Sequence, residues 1–167
     1  MNSLIKKNNE IYYSKNNIEF INYKHINFLK KKVKFTKKKR VRICMHKNEK
    51  DKLHEMIILL AKDTYIRPHK HINKVESLHV IEGSADVIFF DDKGNVKEKK
   101  SLGKKNKSMN IYYRLSNSIF HTFVIKSKFF IFHETTEGPF LKSKTIFADW
   151  SPLESEKLKA KKFINSL

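Results

Sequence analysis

Two histidines and a glutamate close together in the chain have the residue types and the spacing of a metal site. His69 and His71 are two residues apart, so on an extended strand both imidazoles leave the same face. Glu76 follows a predicted turn at residues 72–75 and opens a second run of strand-forming residues. We expect these two strands to be neighbours that bring the imidazoles and the carboxylate together. Nitrogen and carboxylate ligands of this kind bind divalent transition metals.

The second predicted strand also indicates which histidines can bind the metal. Its period of two residues places Glu76 on one face and His79 on the other, so His79 is expected to be dispensable for metal binding. A fourth ligand must come from elsewhere, and His121 is the best candidate. Three imidazoles and one carboxylate leave coordination positions for water and suit iron, manganese, nickel or cobalt, with zinc as a further candidate.

One arginine lies beside the histidines. Of the 36 basic residues, only four are arginine and the rest are lysine, so an arginine stands out from a lysine-rich background. Arg67 precedes His69 by two residues and shares its parity, so we expect the guanidinium to enter the same cavity and bind an anionic or hydroxylated part of a substrate. The alternative is a structural strut that pairs with a carboxylate such as Glu55 or Glu134.

The net charge of +19 is compatible with nucleic-acid binding, and the segment 30–42 carries the highest density of positive charge. Few aromatic residues accompany these lysines, so we interpret the segment as a solvated connector and expect no specific nucleic-acid partner.

No apolar run is long enough for a membrane span, and the N-terminus has no apolar core of a secretory signal. Cys44 is the single cysteine, which excludes an intramolecular disulfide and fits a cytoplasmic location.

The spacing of apolar residues predicts an all-β protein of jelly-roll type, with about nine short strands in one barrel. Residues 1–35 are predicted to be a Lys/Asn-rich extension that holds a short helix from Tyr23 to Val33. Residues 36–150 are predicted to form the barrel. Residues 151–167 are predicted to form a C-terminal helix that begins at Ser151 and packs on the barrel or on a partner subunit, so a homodimer is one expected arrangement.

The metal-site residues match a known pattern. The order His-x-His, four residues, Glu, six residues, Gly resembles the first metal motif of the cupins, and His121 lies where the second cupin motif places its histidine. Further segments resemble the WbuC family of cupin-fold metalloproteins; they include residues 40–46, 53–56, 65–71, 76–83, 89–94, 120–122, 134–139 and 149–152.

This resemblance covers roughly residues 36–152 and carries expectations of its own. It implies a single cupin barrel with His69, His71, Glu76 and His121 as ligands of a divalent metal. It makes Arg67 and Tyr65 candidates for substrate binding, and Glu134 and His46 candidates for catalysis. WbuC-type proteins are found with genes for bacterial surface-polysaccharide (O-antigen) biosynthesis, which implies a sugar or nucleotide-sugar as the small-molecule partner.

Two classes of function stay open at this stage. One is a metal-dependent enzyme with isomerase, epimerase or oxygenase-like chemistry on a sugar, in which Glu134 or His46 moves a proton. The other is a non-catalytic carbohydrate-binding or sensor cupin whose metal only braces the barrel. A free metal position and polar cavity walls would favour the enzyme, whereas a closed site with apolar walls would favour the sensor.

Overall fold

Two β-sheets and two short helices make up the computed structural model, which describes residues 3–167. In chain order the elements are β1 (Leu4–Lys6), β2 (Ile11–Ser14), α1 (Tyr23–Lys32), β3 (Arg40–Cys44), β4 (Leu53–Ala61), β5 (His69–His71), β6 (Glu76–Glu82), β7 (Ser84–Phe90), β8 (Val96–Gly103), β9 (Tyr112–Leu115), β10 (Phe120–Ile125), β11 (Phe129–Glu137), β12 (Thr145–Phe147) and α2 (Lys157–Asn165). Short 3-10 turns occupy Val33–Phe35 and Lys142–Lys144.

The strands form a seven-stranded sheet in the order β1-β2-β3-β4-β11-β6-β9 and a five-stranded sheet in the order β12-β5-β10-β7-β8. Paired strands run antiparallel, except that β2 runs parallel to β3. The predicted fold class is confirmed: the protein is all-β and of the jelly-roll type, with a short helix towards each end. The two sheets face each other as an open sandwich and do not close into a continuous barrel.

Apolar residues fill three layers. The inner layer lies between the sheets, and the other two cover the outer face of each sheet under α1 and α2. Strand β4 shows why the longest apolar run of the chain is needed: Met56 and Ile58 face the inner layer, whereas Ile57 and Leu59 face α1. A strand buried on both faces is apolar throughout, without polar alternation.

Helix α1 confirms the helix predicted between Tyr23 and Val33. The Asn22 side chain accepts a hydrogen bond from the backbone N–H of Lys24 at 2.9 Å, and His25 Nδ1 accepts one from Asn22 N at 3.3 Å. These reciprocal caps satisfy two backbone donors at the start of the helix. Leu29, which is fully buried, anchors the helix on the seven-stranded sheet.

The predicted start of the C-terminal helix at Ser151 is wrong, because α2 begins six residues later at Lys157. The Ser151 hydroxyl donates to the Ala148 carbonyl at 2.8 Å and accepts from Arg67 Nε at 3.1 Å. The side chain that resembled a helix cap therefore serves a tertiary contact. The apolar residues Phe163 and Ile164 of α2 pack on the outer face of the five-stranded sheet.

The predicted pairing of the two metal-site strands is also wrong. Strand β5 lies between β12 and β10 in one sheet, and β6 lies between β11 and β9 in the other. The turn at residues 72–75, with Asn73 in the left-handed region at a φ of 51°, carries the chain from one sheet to the other. Strands β5 and β6, although adjacent in sequence, therefore lie in different sheets and face each other across the space between the sheets. Strand β12 was not predicted.

Among residues 3–167, no helix is both long enough and apolar enough to cross a membrane.

Candidate metal centre and its cavity

Three histidines and one glutamate meet between the two sheets. The ligand atoms of His69, His71 and His121 lie within 4.8 Å of one another. His69 and His121 are register partners on β5 and β10. Glu76 reaches across from β6, and its Oε1 and Oε2 lie 3.1 Å from His121 Nε2 and 3.6 Å from His71 Nε2, respectively. All four residues predicted as ligands are therefore brought together.

A contact at Nδ1 orients each imidazole. His69 Nδ1 donates to the Arg67 carbonyl at 2.9 Å, and His121 Nδ1 donates to the Ile119 carbonyl at 3.1 Å. His71 Nδ1 lies 3.2 Å from Thr145 Oγ1. With the proton on Nδ1, the lone pair of Nε2 is free for a cation. The donor set and its orientation fit a divalent metal.

The protonation of His69 and Glu76 also suits a cation. In His121, burial acts to lower the pKa, but the charge of Glu76 and the hydrogen bond to it raise that pKa, so a proton competes with a metal for this imidazole. Burial, followed by the neighbouring charges of His121 and His71, lowers the pKa of His69 to about 3. Burial acts to raise the pKa of Glu76, but the charge and hydrogen bond of His121 outweigh it and lower that pKa to about 2. At neutral pH the site therefore presents neutral His69 and ionised Glu76, the states in which these groups bind metals.

A cavity of about 550 Å³ opens between the sheets and includes the histidine cluster. Glu134, on β11, lines this cavity, and its carboxylate forms no hydrogen bond or ion pair with any of residues 3–167. Burial, with a smaller contribution from the charge of Glu76, raises the pKa of Glu134 to about 7. A carboxyl group in this state can hold or release a proton near neutral pH.

His46 lines the same cavity and is nearly buried. Its ring stacks on His54 with a centroid separation of 4.0 Å and an angle of 5°, and Tyr13 meets it edge-on. The Nδ1 atom lies 3.2 Å from the backbone N–H of Glu55. Burial, with the charge of His54, lowers the pKa of His46 to about 4, so its ring is neutral at neutral pH. The catalytic roles of His46 and Glu134 stay predictions.

The two residues predicted to bind substrate are placed differently. Arg67 lines the cavity, but its Nε donates to Ser151 Oγ at 3.1 Å and its Nη2 donates to the Ala148 carbonyl at 2.8 Å. It pairs with neither of the carboxylates considered for a strut. The Tyr65 hydroxyl donates to the Pro152 carbonyl at 2.8 Å, and its ring meets Phe163 of α2 edge-on. Both substrate-binding roles stay predictions.

His79 lies on the opposite face of β6, as its parity predicts, with an exposed side chain beside Tyr112. Sequence reasoning missed three residues near the site. Thr145 contacts His71 from the unpredicted strand β12, and Tyr113 is close enough to Glu76 for that charge, after burial, to raise its pKa well above the ordinary value. The third is Arg42, which lines the cavity. Of these, only Arg42 carried a signal, because it is an arginine in a lysine-rich chain.

Residues 21–102 match a family described as "Domain of unknown function (DUF6016)". No curated protein matches the sequence. A protein from Shewanella oneidensis is similar in structure, with 8% identity and a TM-score of 0.50 over 62% of this chain and 66% of that chain.

Two further proteins have lower TM-scores. Oxalate decarboxylase from Bacillus subtilis has 19% identity and a TM-score of 0.46 over 58% of this chain and 24% of that chain. Procruciferin, an 11S globulin from Brassica napus, has 15% identity and a TM-score of 0.43 over 53% of this chain and 21% of that chain. The aligned region thus spans about a quarter of either protein or less, and these likenesses concern the fold alone. The chain is cupin-like in fold and carries a three-histidine cluster suited to a divalent metal.

Proposed function

We propose that this protein is a metal-binding cupin that binds one divalent cation through His69, His71, Glu76 and His121. The observation that carries the proposal is the set of Nδ1 contacts around three histidines whose ligand atoms lie within 4.8 Å of one another, beside a buried carboxylate. Such support of ligands by neighbouring groups is a regular property of metal sites. When bound, a divalent ion supplies positive charge that polarises an oxygen atom of a small molecule in the cavity.

The chain's own residues then bind and orient that molecule and move protons. The Glu134 carboxylate lies in the cavity without a partner among the described residues, so it can take up or release a proton at a bound hydroxyl or carbon. His46 is the second candidate. Apolar side chains such as Met56, Ile58 and Phe132 form much of the wall and limit the access of water.

We propose further that the molecule is a sugar or nucleotide-sugar in bacterial surface-polysaccharide (O-antigen type) biosynthesis, in the cytoplasm. The support is the resemblance to the WbuC family together with a cavity wall that combines apolar and ionisable groups. Isomerase, epimerase and oxygenase-like chemistry are all compatible with the fold, because a fold by itself determines no reaction. A homodimer stays part of the proposal.

The alternative is a carbohydrate-binding or sensor cupin whose metal is structural. Two observations favour it. Apolar side chains form much of the cavity wall. The four protein ligands, His69, His71, Glu76 and His121, tie together strands of both sheets. An unpartnered proton carrier in the cavity favours the enzyme instead. Glu134→Gln separates the two: an enzyme variant keeps its metal but loses turnover, whereas a sensor keeps both metal and carbohydrate affinity.

Metal analysis of purified variants tests the proposal. We expect about one divalent ion per chain in the parent and in His79→Ala, and an at least tenfold loss of metal affinity in His121→Ala, because one ligand is removed. His79 is the matched control, since it is a histidine on the opposite face of the site strand. Unchanged metal content in His121→Ala would remove His121 from the site and contradict the ligand set.

A further inference from the structure

Three of the four arginines line the cavity, and they differ in their contacts. Arg40 is paired with carboxylates: its Nη1 lies 3.2 Å from Glu154 Oε1 and its Nε lies 3.8 Å from Glu10 Oε2. The Arg67 guanidinium is held by the segment 148–151. Arg42 differs, because its guanidinium has no hydrogen bond and no ion pair with any residue between 3 and 167.

Strand β3 fixes the direction of the Arg42 side chain. Val41 and Ile43 are 1% and 0% exposed and pack under α1 on the outer face, so Arg42 must leave from the cavity face. Its backbone N–H donates to the Glu10 carbonyl at 2.8 Å, and it is in register with Ile58 of β4. The sheet therefore holds this side chain in the cavity without help from a side-chain partner.

Arg42 is also within electrostatic reach of the proposed proton carrier. Its charge acts to lower the pKa of Glu134 and is among the charges that lower the pKa of His46. The charge of His121 acts on Glu134 in the same direction. Glu134 is thus within electrostatic reach of both Arg42 and the histidine cluster, and all of them line the same cavity.

A guanidinium inside a partly enclosed cavity has lost part of its hydration and is stabilised by an anionic partner. The described chain supplies none within ion-pair distance. We propose that Arg42 binds an oxyanion, a carboxylate or a phosphate, of the molecule that occupies this cavity. That molecule then has an acidic group at Arg42 and oxygen atoms directed at the histidine cluster, as in a sugar acid or a sugar phosphate.

The inference rests on the proposed function in one respect, that the same molecule reaches the histidine cluster. Anion binding by Arg42 itself does not depend on a metal, so the two proposals can be tested separately. The competing role for Arg42 is that of an internal counterion to Glu134, which would affect stability but not the binding of anions.

Isothermal titration calorimetry with inorganic phosphate and with glucuronate tests the proposal, at about 150 mM salt to suppress non-specific binding to the cationic surface. The variants are Arg42→Gln and the matched control Arg114→Gln. Arg114 is an arginine on β9 whose Nη1 donates to Ser116 Oγ at 2.6 Å, and its removal changes the net charge equally. We expect at least one of the two anions to bind the parent and the control alike, and Arg42→Gln to bind it about 10- to 100-fold more weakly.

A second variant that keeps the positive charge is included in case Arg42→Gln does not fold. Arg42→Lys lacks the planar fork and is expected to have an affinity between those of the parent and Arg42→Gln. The ratio of phosphate to glucuronate affinity in the parent then identifies the preferred acid. Equal binding by the parent and Arg42→Gln, a parent that binds neither anion, or an equal loss in Arg114→Gln would overturn the proposal.

The same titrations separate this result from the metal proposal when they are repeated with and without Arg42→Gln, in chelator-treated protein and in the His121→Ala background. We expect the anion affinity to depend on Arg42 in both backgrounds. If His121→Ala keeps its metal, the metal proposal fails while the anion site stands. If the anion affinity does not change between the parent and Arg42→Gln, the anion site fails while the metal proposal stands.

Discussion

Replacing Glu134 with glutamine is expected to change how the stability of the metal-free protein depends on pH. Burial, with the charge of Glu76, raises the pKa of Glu134 from 4.5 to about 7 in the folded protein. Between these two values the folded protein keeps a proton that the unfolded chain has released. Because the folded state binds more protons, the free energy of unfolding falls as pH rises through this window, and the glutamine variant lacks this contribution.

The size of the effect follows from the two pKa values. A rise from 4.5 to about 7 corresponds to about 3 kcal/mol at about 1.36 kcal/mol for each pH unit. Glu134 is only partly buried, so screening by solvent reduces this value, and we expect about 1–2 kcal/mol. Burial lowers the pKa of His69 and His71, and their contribution has the opposite sign because stability is lost as pH falls below 6.5. The parent and the variant share that contribution, so it cancels in their difference.

Urea denaturation in the presence of a chelator measures this difference at about pH 5 and about pH 7.5. The free energy of unfolding of the parent, relative to that of Glu134→Gln, should be lower at the higher pH by the amount above. Glu98→Gln is the control, because Glu98 is an exposed carboxylate on β8. A difference that is independent of pH would refute the reasoning. A parent that becomes more stable relative to Glu134→Gln as pH rises would show instead that Glu134 is an ionised partner of Arg42.

Two further predictions concern the turn after the site strand and the basic segment. Gly83 has a φ of +84° and a Cβ there would meet the Phe129 carbonyl, so Gly83→Ala should destabilise the fold by about 2–4 kcal/mol in urea denaturation; a variant as stable as the parent would contradict this turn geometry. The segment 30–42 is predicted to be a connector, so binding of DNA or RNA in a filter assay should be non-specific and lost by about 200 mM salt. Salt-tolerant, sequence-selective binding would refute that interpretation.

Local patterns explain what the sequence could predict. The spacing of His69, His71 and Glu76 follows the two-residue period of a strand, and so does the exposure of His79. Sheet membership is not local, because it depends on which distant strand supplies the hydrogen bonds. The partner of β5 on one side is β12, more than seventy residues later in the chain. The prediction of a hairpin therefore failed, although the residues themselves do meet.

The same distinction applies to single side chains. Ser151 has the local signal of a helix start, but a contact with Arg67 takes its hydroxyl. Arg42 lies in an alternating segment that correctly predicts a strand. The sequence could not predict that the Arg42 guanidinium lacks a carboxylate partner. Whether a carboxylate lies within ion-pair distance depends on the positions of distant residues in the folded chain.

The pairing of β2 with β3 has a consequence for self-association. Without Ile11–Ser14, the backbone N–H and C=O groups along one side of β3 would form a free edge, to which a strand of another chain can add. Strand β2 covers that edge, and β1, only three residues long, is left as the terminal strand of the sheet. The same hairpin contributes Glu10 and Tyr13 to the cavity wall, although it precedes the region matched by the family, residues 21–102. One short segment thus limits strand addition and also forms part of the cavity that a ligand would occupy.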